Sequence, residues 1–82
     1  MKVDHIVAGY DKGTERLTIE HDVPASLFAE VRSLAQVPDT DQLALGSYPL
    51  SLSAVRRIAS QIAAPLNVDA YDWYLEPVPT ES

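Results

Sequence analysis

The chain has no cysteine among its 82 residues, which excludes a disulfide framework and thiolate metal sites. It has only three glycines, Gly9, Gly13 and Gly46, set far apart, so no glycine-rich phosphate loop is present. No serine lies in a Gly-x-Ser-x-Gly turn, and nucleophilic catalysis is left without a motif. Basic residues are scarce. Six Lys and Arg stand against twelve Asp and Glu, a net charge of −6 with His neutral. Nucleic-acid backbones are bound by clustered Lys and Arg; the one basic doublet, Arg56-Arg57, is unreinforced and reads as a solvated helix face. Long apolar runs are missing too. The longest are tripeptides such as Ile6-Val7-Ala8, against the roughly 20 residues of a membrane-spanning helix. The sequence opens without an apolar segment of signal-peptide length, so a cytoplasmic location is expected.

What is present is globular. Apolar residues make up 46% of the chain and charged residues 22%, ordinary values for one packed domain. A domain this small buries only about 60% of its unfolded surface. Its stability must come from one compact core, in a monomer or a homodimer, because no staple is available.

Residues 2–10 and 15–23 alternate with a period of two, most cleanly at Leu17, Ile19, His21 and Val23 against Arg16, Thr18, Glu20 and Asp22. That predicts a β-hairpin. Asp11-Lys12 suits a type I turn, with Gly13 left-handed at a following bulge. In that register Val7 opposes Leu17 and His5 opposes Ile19. The core face is then Val3, Val7, Leu17 and Ile19, with His5 and His21 near its rim. A two-residue Lys12-Gly13 turn would instead turn Ile6, Ala8 and Tyr10 inward, because a one-residue slip exchanges the faces. The bulged form is preferred, since Lys is a poor first residue for a type I′ turn.

Pro24 fits the first turn of a helix, and Leu27, Phe28, Val31, Leu34 and Ala35 form its apolar stripe. Pro38 ends it at or before Val37. Residues 37–50 read as a connection whose Leu43 and Leu45 tuck onto the core. Tyr48-Pro49-Leu50 reads as a hydrophobic staple ahead of the next helix, or as a recognition loop. Ser51 or Ser53 caps a second helix with Leu52, Val55, Ile58, Ala59 and Ile62 inward, and Pro65 stops it. A last strand follows over about 68–76. Tyr71, Trp73 and Leu75 alternate there with Asp72, Tyr74 and Glu76. The expected architecture is α+β: a two-layer β-β-α-α-β sandwich, a three-stranded sheet with two helices on one face. If the last strand lies beside the first, it is expected to run parallel to it. Residues 1–76 would form one domain and 77–82 a frayed tail, since two prolines there deny ladder donors.

His5 and His21, with Asp4, Glu20 and Asp22 nearby, lack a spacing that fixes metal geometry. They read as cross-strand polar residues, so no metal, cofactor or catalytic residue is assigned and no enzyme is expected. The informative region is the last third. Four of the six aromatic residues lie from Tyr48 onward. Residues 58–82 hold four acidic residues and no basic one, so most of the net charge sits there. Aromatic rings beside carboxylates suit a surface that captures a basic protein: rings supply area, charges steer encounter. The candidate partner-binding residues are Asp69, Asp72, Tyr74, Glu76 and Tyr48, with Trp73 and Tyr71 assigned to the core.

The hairpin His5-Ile6-Val7-Ala8-Gly9-Tyr10-Asp11, the Pro-led helix with Leu27-Phe28, the Tyr48-Pro49-Leu50 approach and the aromatic last strand give an outline covering most of the chain. That outline resembles the small acidic bacterial immunity proteins encoded beside polymorphic or contact-dependent toxins. The resemblance implies a cytoplasmic inhibitor that binds one toxin domain, such as a nuclease, and it transfers no functional residue. The alternative is a homodimeric structural or adaptor domain joined through an open sheet face carrying Ile6, Ala8 and Tyr10.

Overall fold

The computed structural model describes residues 2–62 and 68–80. Strands β1 (Lys2–Asp11) and β2 (Leu17–Asp22) are followed by a 3-10 turn, Ala25–Leu27, and helix α1 (Phe28–Leu34). Strand β3 (Tyr48–Leu50), helix α2 (Leu52–Ile62), a 3-10 turn at Val68–Ala70 and strand β4 (Tyr71–Thr80) complete the order. The fold is α+β, with both helices packed on one face of the sheet.

The sheet has four strands, not three, in the order β2-β1-β4-β3. The added strand is Tyr48-Pro49-Leu50, whose three residues pair with Leu75, Tyr74 and Trp73. Three residues bracketing a proline carry too short a pattern to read as a strand. β4 lies beside β1 and runs antiparallel to it, from Lys2 opposite Thr80 to Asp11 opposite Tyr71. A last strand beside β1 was expected to be parallel; instead β3 runs in the same direction as β1, the chain reverses through α2 into β4, and every neighbour in the sheet is antiparallel.

The hairpin matches neither expected register. Val7 opposes His21, Gly9 opposes Ile19 and Tyr10 opposes Leu17, with Thr18 bulged between the last two pairs. The turn is longer than a type I turn plus one glycine, because Asp11 closes it from two sides. Its Oδ1 accepts the N–H groups of Gly13 and Thr14 at 2.8 and 2.9 Å, and its carbonyl accepts Glu15 N–H at 2.8 Å. The left-handed residue is Glu15, at φ 60°, rather than Gly13. Val7 and Ile19 do face the core. Leu17 does not: beyond the bulge it shares the outer face with Tyr10 and is 48% exposed.

Val7, Leu50, Trp73 and Leu75 project from the sheet onto Val31 of α1, Ala35 at its C-terminal cap, and Ala54, Val55 and Ile58 of α2. Trp73 is thus a core anchor, as its apolar alternation predicts. Pro24 sits just outside the helical segment, at ψ 143°. The Ser51 hydroxyl accepts Ala54 N–H at 3.1 Å and caps α2, while Leu52 in that first turn stays exposed. The expected helix stop at Pro65 lies outside the described residues. The last strand starts at Tyr71 and not near 68, because Val68–Ala70 forms a 3-10 turn that feeds it.

The chain does not fray at Pro77: β4 continues through Pro77 and Pro79 to Thr80. His5 directs its carbonyl to Val23 N–H on the β2 side, so the His5–Pro77 pair is not hydrogen-bonded across β1 and β4. The missing donor of Pro77 therefore points away from β1. On that side β3 pairs only with residues 73–75, and no ladder bond is lost. The expected tail positions Glu81 and Ser82 lie outside the described residues.

Candidate functional site

With Val7, Trp73 and Leu75 directed at the helices, alternation turns every second residue of β1 and β4 to the opposite, uncovered face of the sheet. That face carries Asp4, Ile6, Ala8 and Tyr10 on β1 and Asp72, Tyr74, Glu76 and Val78 on β4, in register with one another. Glu20 and Asp22 of β2 lie opposite Ala8 and Ile6 and extend it. Lys2, at the start of β1, is the one Lys or Arg on the strands. Ile6 and Ala8 are only 7% and 0% exposed although no helix covers them. Their larger strand neighbours shield them, so what solvent meets is tyrosine rings and carboxylates.

The centre of this face is ordered. Tyr10 and Tyr74 meet edge to face with ring centroids 5.6 Å apart. The Tyr10 hydroxyl donates to both carboxylate oxygens of Glu76, at 2.9 and 2.7 Å. Ser47, at the entry to β3, donates to Glu76 Oε2 at 3.1 Å. The bond to Glu76 raises the pKa of Tyr10, with desolvation and the carboxylate charge acting in the same direction; the hydroxyl therefore keeps its proton and remains the donor. Together with Glu15 and Asp72, these residues line an open depression of about 380 Å³. That lies near the lower limit for a small-molecule pocket and lacks the apolar enclosure such pockets have.

The structure brings three of the five candidate residues, Asp72, Tyr74 and Glu76, to this face. Asp69 stands before β4 and meets Arg56 of α2 at 3.5 Å in an exposed ion pair. Tyr48 lies on the other side of the sheet, its ring against the core and its hydroxyl bonded to Asp41 Oδ2. Tyr10, Glu20, Asp22 and Ser47 join the site as well; Tyr10 belongs to the open face of the homodimer alternative, and the other three are not among the expected binding residues. The first three have a sequence signal: once Val7 and Ile19 face inward, alternation and the bulge turn Tyr10, Glu20 and Asp22 outward. Ser47 has none, because its position depends on β3.

The histidines are separated in role. His5 is buried and its Nε2 lies 3.1 Å from the carbonyl oxygens of both Leu43 and Ala44. Two acceptors at one nitrogen place the ring proton there. The ring stacks on Phe28 at 4.4 Å. His5 thus fastens the connection after α1 instead of lying at the rim of the core. Asp41 fastens the same loop from the outside, accepting Leu45 and Gly46 N–H at 2.9 and 3.0 Å. Its carboxyl pKa is lowered, first by the Tyr48 hydroxyl and then by those two amides. Between these anchors Ala44, at φ 49°, is fully buried. The expected inward residues Leu43 and Leu45 are 57% and 50% exposed, because the left-handed turn at Ala44 directs the small side chain inward. Among the described residues no three His, Asp or Glu side chains gather as a metal group, and no helix is long and apolar enough to cross a membrane.

Neither the curated proteins nor the solved structures contain a match to this chain. A family model does match, over residues 4–76, and that span runs from the start of the open face on β1 to Glu76 on β4. The chain belongs to the family described as a domain of unknown function, DUF7683.

Proposed function

We propose that the protein is a small acidic binding module that occludes a basic surface on another protein, in the manner of an immunity protein neutralising a toxin domain such as a nuclease. One observation carries this reading: the uncovered sheet face bears Asp4, Glu20, Asp22, Asp72 and Glu76 around a tyrosine pair, and Lys2, at the start of β1, is the one Lys or Arg on the strands. Of the six basic residues, Arg32, Arg56 and Arg57 belong to the helical layer, Lys12 and Arg16 lie in the hairpin turn, and Lys2 opens β1. Carboxylates of one sign steer a basic partner and reject acidic ones, and the aromatic centre supplies the contact area. Catalysis is not assigned, and the module acts by covering its partner.

A homodimer through the same face is disfavoured by the same residues. A two-fold contact sets a patch against its own copy, so five carboxylates would meet five. Ile6 and Ala8, the apolar residues that would drive it, are already covered within the monomer.

The test is to search the source genome beside this gene for a toxin-like reading frame, co-express its product with the protein, and follow association kinetics of the purified pair; a neighbourhood with no such frame counts against the inhibitor reading. Growth rescue by the wild type and loss of rescue on reversing Glu20 and Asp72 to Lys are expected. The association rate should fall steeply as the Debye length shrinks from about 30 Å to about 3 Å. A rate independent of salt, or full rescue by the charge-reversed variant, overturns the reading.

A further inference from the structure

We propose that the depression beside Tyr10 and Tyr74 is a guanidinium socket, which receives one arginine side chain of the basic partner between Asp72, Tyr74 and Glu76. This rests on the reading of the open face as the binding surface and specifies the chemistry of its centre.

Three features select arginine. Asp72, Tyr74 and Glu76 occupy alternate positions of β4, so a carboxylate stands about 7 Å along the strand on each side of the Tyr74 ring. This arrangement offers a planar cation a ring to lie against and an acceptor at each end. An edge-to-face tyrosine pair leaves ring faces uncovered that a stacked pair would hide. A guanidinium stacks on such a face while keeping its N–H fork for carboxylates, whereas an ammonium is a compact, strongly hydrated point charge.

The carboxylates themselves are prepared differently. Glu76 is held in place by Tyr10 and Ser47. Those hydroxyls use only part of its roughly four acceptor sites, so it remains a fixed acceptor. The Asp72 side chain is exposed and makes no hydrogen bond among the described residues, so both its carboxylate oxygens are open to a bidentate partner. Glu15 adds a third negative charge at the rim, and no Lys or Arg lines the depression. A divalent metal does not fit the same groups, because the tyrosines hold the carboxylates apart and they form no ligand cluster. At about 380 Å³ the depression has room for the end of one long side chain, and its open wall suits a side chain entering from a partner.

The probe is the capped tripeptide acetyl-Gly-Arg-Gly-amide, titrated into the intact protein and followed by amide NMR shifts, with the Lys analogue as comparison. The expected result is saturable shifts at Tyr10, Ser47 and residues 72–76, with the Lys peptide bound about fivefold more weakly. Asp72→Asn, at an exposed position that leaves packing intact, should weaken the Arg peptide several-fold and narrow the difference from Lys. Tyr74→Leu should do the same, with the fold checked by the unchanged amide pattern of the helices. Equal responses to the two peptides, or shifts centred elsewhere, overturn the socket. So does a basic partner that binds this face equally well before and after Asp72→Asn; that outcome leaves the binding-module reading standing. Saturable arginine binding in a protein that fails the co-expression and salt tests supports the socket and removes only the inhibitor reading.

Discussion

Gly9 of β1 lies directly opposite Trp73 of β4, and the indole occupies the space a side chain at Gly9 would need. A Cβ built there would come within 3.1 Å of the indole ring and 2.7 Å of Ile19 Cγ2. The glycine is required by this close approach, because its φ is not positive. It lets β2 and β4 side chains meet above β1.

Gly9→Ala should therefore destabilise the domain. Forcing a methyl group into a packed core costs about 1–3 kcal/mol, a large share of the stability of so small a domain. Urea unfolding should show the midpoint fall with an unchanged slope. A midpoint equal to wild type would contradict the contact.

His5→Phe tests the inner anchor of the connecting loop. It keeps a ring against Phe28 but removes the donor to the Leu43 and Ala44 carbonyls. Leaving buried acceptors unpaired costs about 1–3 kcal/mol. The faster hydrogen exchange should be confined to residues around 41–46. Uniform acceleration across the sheet would point to a general packing defect.

Gln36→Gly should stabilise the protein by about 1 kcal/mol. Gln36, at φ 57°, is the left-handed residue ending α1. Its N–H bonds to Ser33 and the N–H of Val37 bonds to Arg32, the Schellman pattern that usually places glycine there. Thermal or urea unfolding gives the sign directly.

The outer anchor gives a pH dependence. The Tyr48 hydroxyl, followed by the Leu45 and Gly46 amides, lowers the folded-state pKa of Asp41. The stability this adds is complete above the unfolded carboxyl pKa of about 3.9 and is lost as pH falls through the lower folded value. Amide shifts of Leu45 and Gly46 should hold their neutral-pH positions to below pH ~4. In Tyr48→Phe the same transition should move up toward the ordinary Asp range. An unchanged midpoint would remove Tyr48 as the principal cause.

Several elements were legible from local pattern. Both helix faces, the hairpin strands and the core role of Trp73 follow from apolar spacing. Asp72, Tyr74 and Glu76 share a face because they alternate with core residues on one strand. The hairpin register was not legible. Asp11 builds its turn with both side chain and carbonyl, and the bulge at Thr18 shifts Leu17 outward. In the connection after α1 hydropathy favours Leu43 and Leu45 as inward residues, but a left-handed Ala44 is the buried one, and hydropathy does not reveal that pattern. Tyr48 shares the acidic, aromatic third of the sequence with β4, whereas the β3 pairing puts it on the other face of the sheet.

The amino-acid sequence by itself determined the chain's acidity, its α+β composition and the alternation that separates Trp73 from Tyr74. These are properties of residues and their nearest neighbours along the chain. Only the tertiary structure decided that β4 runs antiparallel beside β1, that β3 closes the sheet, and that Tyr10 meets Glu76. Those choices depend on where chain reversals fall and which edge each strand finds. Residues 66 positions apart in sequence are joined there by one hydroxyl.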